Sequence, residues 1–335
     1  MAMAFRRGGV VLLAFVLALC LSATELEARL GVDYYHKTCP HAEFIVMDEV
    51  KKAMAGDAGL GADLLRMHFH DCFVRGCDGS LLIDSTPNNK AEKDGAPNNP
   101  SLEAEAFEII DNAKKRLEAE CKGTVSCADI LAFAARDVVV LSGGFYYKVP
   151  AGRRDGRVSM ASETLTNLPP PSFDLNQLTQ NFAQKGLTQD DMITLSGAHT
   201  IGQSHCSSFS NRLYNFNSTF SQDPTLDPAY AAQLKQECPN TSGGANQQVP
   251  MDPNSPTTFD TSYYRNLLAN RGLFTSDQTL MSTPTTAAKV WQNAANWFAF
   301  QKKFGKAMTK MGKIGVLAGS QGEIRENCRV VNGFH

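Results

Sequence analysis

Five stretches of the chain, 44–55, 60–73, 104–119, 128–141 and 287–311, carry apolar residues at three- and four-residue spacing. That period puts the apolar side chains on one side of a helix and predicts a mostly helical protein. Ser126-Cys127-Ala128-Asp129 reads as a helix start, with Ser126 as the N-cap and Asp129 at the third position. Pro and Gly clusters at 86–100, 168–172 and 240–256 separate the helical stretches and predict loops, the last two being candidates for lining a site. Internal repeats, charge blocks and Gly-rich phosphate loops do not occur. The expected class is all-α with long functional loops.

The N-terminus follows a different pattern. Arg6 and Arg7 precede an apolar run over 10–21, and small and polar residues follow through Ala28. This is the layout of a secretory signal peptide over 1–28, and the run is short of the ~20 residues that span a bilayer. The mature form is therefore expected to carry no membrane segment. Lys and Arg number 32 against 34 Asp and Glu in 335 residues, a formal charge of −2, which argues against a nucleic-acid partner. Hydrophobic residues at 43% rule out a disordered chain.

A secretory leader changes the meaning of cysteine. Of nine, Cys20 lies in the leader, leaving Cys39, Cys72, Cys77, Cys121, Cys127, Cys206, Cys238 and Cys328. An even set in a secreted chain predicts a disulfide framework, although eight cysteines allow about a hundred pairings. The C-x-x-C spacing of zinc sites is missing. Asn217-Ser218-Thr219 and Asn240-Thr241-Ser242 are glycosylation sequons, at Asn217 and Asn240, that suit the same compartment.

The densest candidate chemistry is Arg66-Met67-His68-Phe69-His70-Asp71-Cys72. On a helix Arg66 and His70 lie about 40° apart around the axis and Phe69 about 60° to the other side, while His68 points away. A fixed cation and a titratable imidazole on one face suit proton transfer with stabilisation of negative charge. His68 reads as a core histidine. His199, in Leu195-Ser196-Gly197-Ala198-His199-Thr200, follows Leu195 by four residues and projects from an apolar face, and His205 reads as structural. Together the two segments suggest a planar cofactor held between helices, with an axial imidazole on one side and an acid–base group on the other.

The residues 65–74 with Gly76-Cys77-Asp78-Gly79-Ser80 closely resemble the distal signature of the secretory plant (class III) haem peroxidases, and 195–202 resembles the proximal one. The resemblance runs from about Tyr34 to Val331, through Glu92-Lys93-Asp94, Val125-Ser126-Cys127-Ala128-Asp129, Gly152-Arg153-Arg154-Asp155 and Asn327-Cys328-Arg329. It implies the haem-peroxidase fold over 29–335. A distal half of about 29–166 plus the C-terminal helix and a proximal half of about 167–290 would hold one haem b between them. By position, His70 would be the distal base, Arg66 the charge stabiliser, Phe69 the cover of the haem's distal face, and Asn98 the acceptor for the distal imidazole N–H. His199 would ligate iron with Asp277 behind it. Pro169 would offer its carbonyl to aromatic donors.

The resemblance also implies two Ca²⁺ ions. One would take Asp71, Asp78 and Ser80, the carbonyls of Val74 and Gly76, and Glu92 through water. The other would take Thr200, Asp252, Ser255, Thr258 and Asp260. Ser255 stands where the family often has Thr. The implied disulfides are Cys39–Cys121, Cys72–Cys77, Cys127–Cys328 and Cys206–Cys238. Phe145, Tyr147 and Ala151 depart from the usual Pro, Trp and Leu, in a structural stretch. The expected protein is a monomer secreted to the cell wall that reduces H₂O₂ and oxidises phenolic donors by one-electron steps. A catalytically silent, calcium-binding wall protein is the alternative. A zinc hydrolase built on His68 and His70 is weak, because the two side chains diverge on a helix.

Overall fold

The computed structural model describes residues 30–95, 101–241 and 243–333. The leader, Asn98 and Ser242 of the second sequon lie outside the described residues.

Helices α1 (Ala42–Gly56), α2 (Leu60–Val74), α3 (Ala104–Glu120) and α4 (Cys127–Leu141) make the first bundle. Helix α4 is apolar on nearly every side and is buried from its first residue through Val139, as a helix without a polar face must be. Ser126 Oγ accepts from Asp129 N at 3.1 Å and caps it. The Asp129 carboxylate does not return to the cap. It accepts from Tyr35 Oη at 2.7 Å, Gly152 N at 2.6 Å and Arg153 Nη1 at 2.7 Å, and so binds two distant segments to the central helix.

Next come α5 (Ala161–Asn167), α6 (Leu175–Gln184), α7 (Gln189–Ser196), α8 (Ser210–Leu213), α9 (Pro228–Glu237), α10 (Ser262–Leu268) and α11 (Thr275–Gln278). Two three-residue strands, β1 (Gln203–His205) and β2 (Gln248–Pro250), pair antiparallel with Ser204 opposite Val249. His205 lies on β1, its ring beside Gln248 Nε2 at 3.1 Å, a structural place as expected. The 240–256 stretch is thus a loop with one short strand in it.

The single helix expected over 287–311 is in fact two, α12 (Pro284–Ala295) and α13 (Trp297–Met311). Asn296 breaks the run at φ −133° and ψ 86°, and its side chain accepts from Ala299 N at 2.9 Å to cap α13. The apolar period continues across this residue, so spacing alone hides the break. Helix α13 buries Phe300, Phe304, Ala307, Met308 and Met311.

One core is shared by α1–α4, α6, α7, α10, α12 and α13, while a smaller one around Phe209, Leu213, Tyr230, Leu234, Val249 and Met251 lies beneath the segment joining β1 to β2. All four disulfides are formed: Cys39–Cys121, Cys72–Cys77, Cys127–Cys328 and Cys206–Cys238. The departures at 145 and 147 are absorbed locally. Phe145 packs edge-on against Trp297 and Phe298, and a Cβ on Gly305 would lie 2.8 Å from that of Tyr147. Among the described residues no helix is long and apolar enough to cross a membrane.

Candidate active site

Helix α2 is buried along most of its length, yet Ala62, Asp63, Arg66 and Phe69 keep partial exposure. Ala62, Arg66 and Phe69 are spaced four and three residues apart and form one stripe down the helix. His70 is buried beside that stripe, its ring 5.4 Å from Phe69 in an edge contact. The structure therefore places Arg66, Phe69 and His70 together as the spacing predicts. Ser101, which the sequence did not single out, fixes the cation: Arg66 Nη1 donates to Ser101 O at 2.6 Å and Nη2 to Ser101 Oγ at 2.9 Å. His68 is buried on another face, its ring 3.7 Å from Cys72 Sγ. Burial and the Arg153 guanidinium push its pKa down to about 3, so it stays neutral.

Helix α7 ends at Ser196, and His199 lies on a 3-10 turn, Gly197–Thr200, instead of continuing the helix from Leu195. Its Nδ1 is 2.7 Å from Asp277 Oδ1. A carboxylate can only accept, so the imidazole donates from Nδ1, and among the described residues Nε2 has no hydrogen-bond partner. The His199 side chain is 38% accessible while that of Asp277 is 2%. Rings of Tyr263 and Phe274 wall the imidazole edge-on at 5.9 and 5.5 Å. Asp277 is held firmly: Oδ2 accepts from Phe274 N at 2.9 Å and Oδ1 from Tyr263 Oη at 3.0 Å. Tyr263, like Ser101, carries no signal in the sequence.

The segment after His199 meets α2 directly. Gly202 has φ +97°, a left-handed conformation suited to glycine, and a Cβ there would lie 2.8 Å from Ala62 Cβ. Farther along, Phe73 packs on Phe182 of α6 at 4.9 Å. Pro169 is partly exposed, and the loop that carries it is fixed to the first turn of α11 by Ser276 N donating to Pro171 O at 2.9 Å. An imidazole with one nitrogen tied to a buried carboxylate and the other open is the donor set of a metal-bound histidine.

The first expected calcium set is buried as a group: Asp71, Val74, Asp78, Ser80 and Glu92 are all inside, and Gly76 O accepts from Asp78 N at 2.7 Å. Asp71 takes Gly79 N at 3.0 Å and Leu81 N at 3.3 Å, and Asp78 takes Ser80 N at 3.0 Å. Burial, then the Asp78 charge, raises the Asp71 pKa well above its usual value, and burial also raises Asp78. Glu92 is pushed up to about 9 by burial and by the Asp71 carboxylate. In the second set Thr200 Oγ1 donates to Asp260 Oδ1 at 3.1 Å, and Ser255 Oγ to Asp252 Oδ2 at 3.4 Å. Buried Asp252 also accepts from Ser262 Oγ and Asn266 Nδ2, both at 3.1 Å, two partners the sequence did not single out. Thr258 is exposed, its N–H donating to Ser255 O at 3.1 Å. Among the described residues no three His, Cys, Asp or Glu side chains gather to ligate an ion unaided, and calcium takes hydroxyl and carbonyl oxygens as well. Asn217 and Asn240 are both exposed.

Known proteins share this chain's sequence over almost its whole length. A sequence model of the family described as Peroxidase matches residues 46–296. Peroxidase 5 of Vitis vinifera is 65% identical over 314 residues, 94% of each chain. Peroxidase 64 of Arabidopsis thaliana is 50% identical over 316 residues, 94% of this chain and 97% of the relative. Peroxidase 1 of Zea mays is 48% identical over 327 residues, 96% of this chain and 88% of the relative. With four disulfides, a helical fold and a carboxylate-backed imidazole already in place, the chain belongs to the peroxidase family and is a plant class III haem peroxidase.

Proposed function

We propose that this peroxidase works on H₂O₂ with His70, Arg66 and His199 as its principal groups, and that its electron donors are small phenols. When bound, haem supplies an iron that accepts two oxidising equivalents from peroxide and passes them on one electron at a time. His70 takes the proton from one peroxide oxygen and returns it to the other, which leaves as water. Arg66, held by Ser101, stabilises negative charge on the departing oxygen. Asn98 would accept the other imidazole N–H of His70 and keep the working nitrogen an acceptor. Phe69 covers the distal face and limits water. Asp277 draws on the Nδ1 proton of His199, which strengthens Nε2 as a donor. Pro169 has no N–H, and its carbonyl would accept a phenol O–H.

The observation that carries this reading is the His199 imidazole, pinned at 2.7 Å to a buried carboxylate with its second nitrogen open. An absorption spectrum of purified protein, before and after one equivalent of H₂O₂, tests it. A Soret band that shifts with peroxide and recovers with a phenol is expected. Colourless protein that takes up no haem ends the proposal.

Two calcium ions fit the remaining donors. Burial raises the pKa of Asp71, Asp78 and Glu92, the Asp78 charge adds to this at Asp71 and the Asp71 and Asp78 charges add to it at Glu92, a cost that a divalent cation would relieve. At the second site Asp252, Asp260, Thr200, Ser255 and Thr258 supply hard oxygen donors beside His199. Secretion to the cell wall is supported by the leader pattern, four closed disulfides and two exposed sequon asparagines. The division into a distal half of about 29–166 with the C-terminal helix and a proximal half of about 167–290 follows the positions of His70 and His199, and a monomer is the expected state.

A further inference from the structure

One carboxylate oxygen in the site has two claimants. Asp277 Oδ1 accepts from His199 Nδ1 at 2.7 Å and from Tyr263 Oη at 3.0 Å, while Oδ2 is taken by Phe274 N at 2.9 Å. Asp277 and Tyr263 are 1% and 2% exposed, so water cannot replace the phenol. The neighbouring tyrosine does something different. Tyr264 Oη donates to the main-chain carbonyls of Ile193 at 2.9 Å and Thr194 at 3.1 Å, away from Asp277.

A carboxylate that accepts a further hydrogen bond becomes a weaker base toward the first. We infer that the Tyr263 hydroxyl is a positioning residue for the iron ligand: by sharing Oδ1 it limits how far Asp277 draws the His199 proton, and so restrains the electron density His199 gives to iron. This rests on the reading of His199 as the haem ligand. Toward Asp277 the phenol can act only as a donor, because a carboxylate has no proton to give. The aspartate strengthens the ligand and the tyrosine moderates the aspartate, an arrangement that sets an intermediate donor strength.

The test uses the full-length, haem-loaded protein and two readouts apart from turnover: the iron–histidine stretching band of the ferrous form by resonance Raman, and the ferric/ferrous midpoint potential. In Tyr263→Phe, which keeps the ring and removes the hydroxyl, the band should move to higher frequency and the potential to a more negative value. Placing 3-fluorotyrosine at position 263 makes the phenol a stronger donor and should move both the opposite way. Tyr264→Phe should move neither. Unchanged band and potential in Tyr263→Phe, or shifts of reversed sign, overturn the inference and leave His199 as the ligand. A wild-type protein with no iron–histidine band overturns both.

Discussion

Replacing His70 by alanine removes the group proposed to carry a proton between the two peroxide oxygens while leaving His199 and Asp277 untouched. The reaction with H₂O₂, followed by stopped-flow absorbance, should slow by about 10²- to 10⁴-fold with haem still bound. An unchanged rate would remove His70 from the mechanism. His68, only two positions away, should govern stability instead. It stays neutral in the folded protein down to about pH 3, whereas an exposed histidine takes a proton near pH ~6.5. Between those values the unfolded chain binds the extra proton. Its contribution is therefore complete above about pH 6.5 and falls by about 1.4 kcal/mol per pH unit as the solution is acidified. Urea midpoints measured from neutral to mildly acid pH should show a flatter decline in His68→Gln than in wild type. Residue placement was legible where helix geometry turns spacing into direction, as for Arg66, Phe69 and His70. Asp277 was reached only through family resemblance, since an aspartate within a one-turn helix has no signature of its own. Tyr263 could not be read at all, because its partner sits 14 residues away around a turn.

Elements were legible in their bodies and hidden at their breaks. The helices at 60–74 and 127–141 begin and end within a residue of the expected bounds, because long apolar periods dominate there. Two breaks escaped for one reason: the apolar period runs on through them. His199 leaves α7 on a 3-10 turn, and Asn296 divides the last helical stretch. Asn296→Ala removes the acceptor for Ala299 N, which should lower stability by about 1 kcal/mol in urea unfolding without changing the Soret band. If the loss is nil, the cap contributes nothing to the junction of α12 and α13.

At the scale of the molecule, ions and cross-links act on the whole. Calcium held at the proposed sites by the folded form only would add about 2.7 kcal/mol per site at a hundredfold excess over Kd. Removal by chelator should lower the melting temperature and depress activity with all four disulfides intact, and readdition should restore both. Full activity in stripped protein would count against the ions. Changing Cys127 and Cys328 together to serine should cost roughly 2–5 kcal/mol, measured by urea unfolding, since that bridge spans 201 residues. The cross-link has company. Arg153 Nε donates to Gly312 O at 2.9 Å and Arg325 Nη1 to Cys328 O at 2.9 Å, while Asp155 Oδ2 accepts from Arg325 N at 2.9 Å. The first bundle is thus closed by residues that come late in the sequence, Gly312, Arg325 and Cys328. A chain cut before Gly312 would keep every candidate active-site residue yet lose the strap that closes the first bundle, so such a truncation should injure that bundle first.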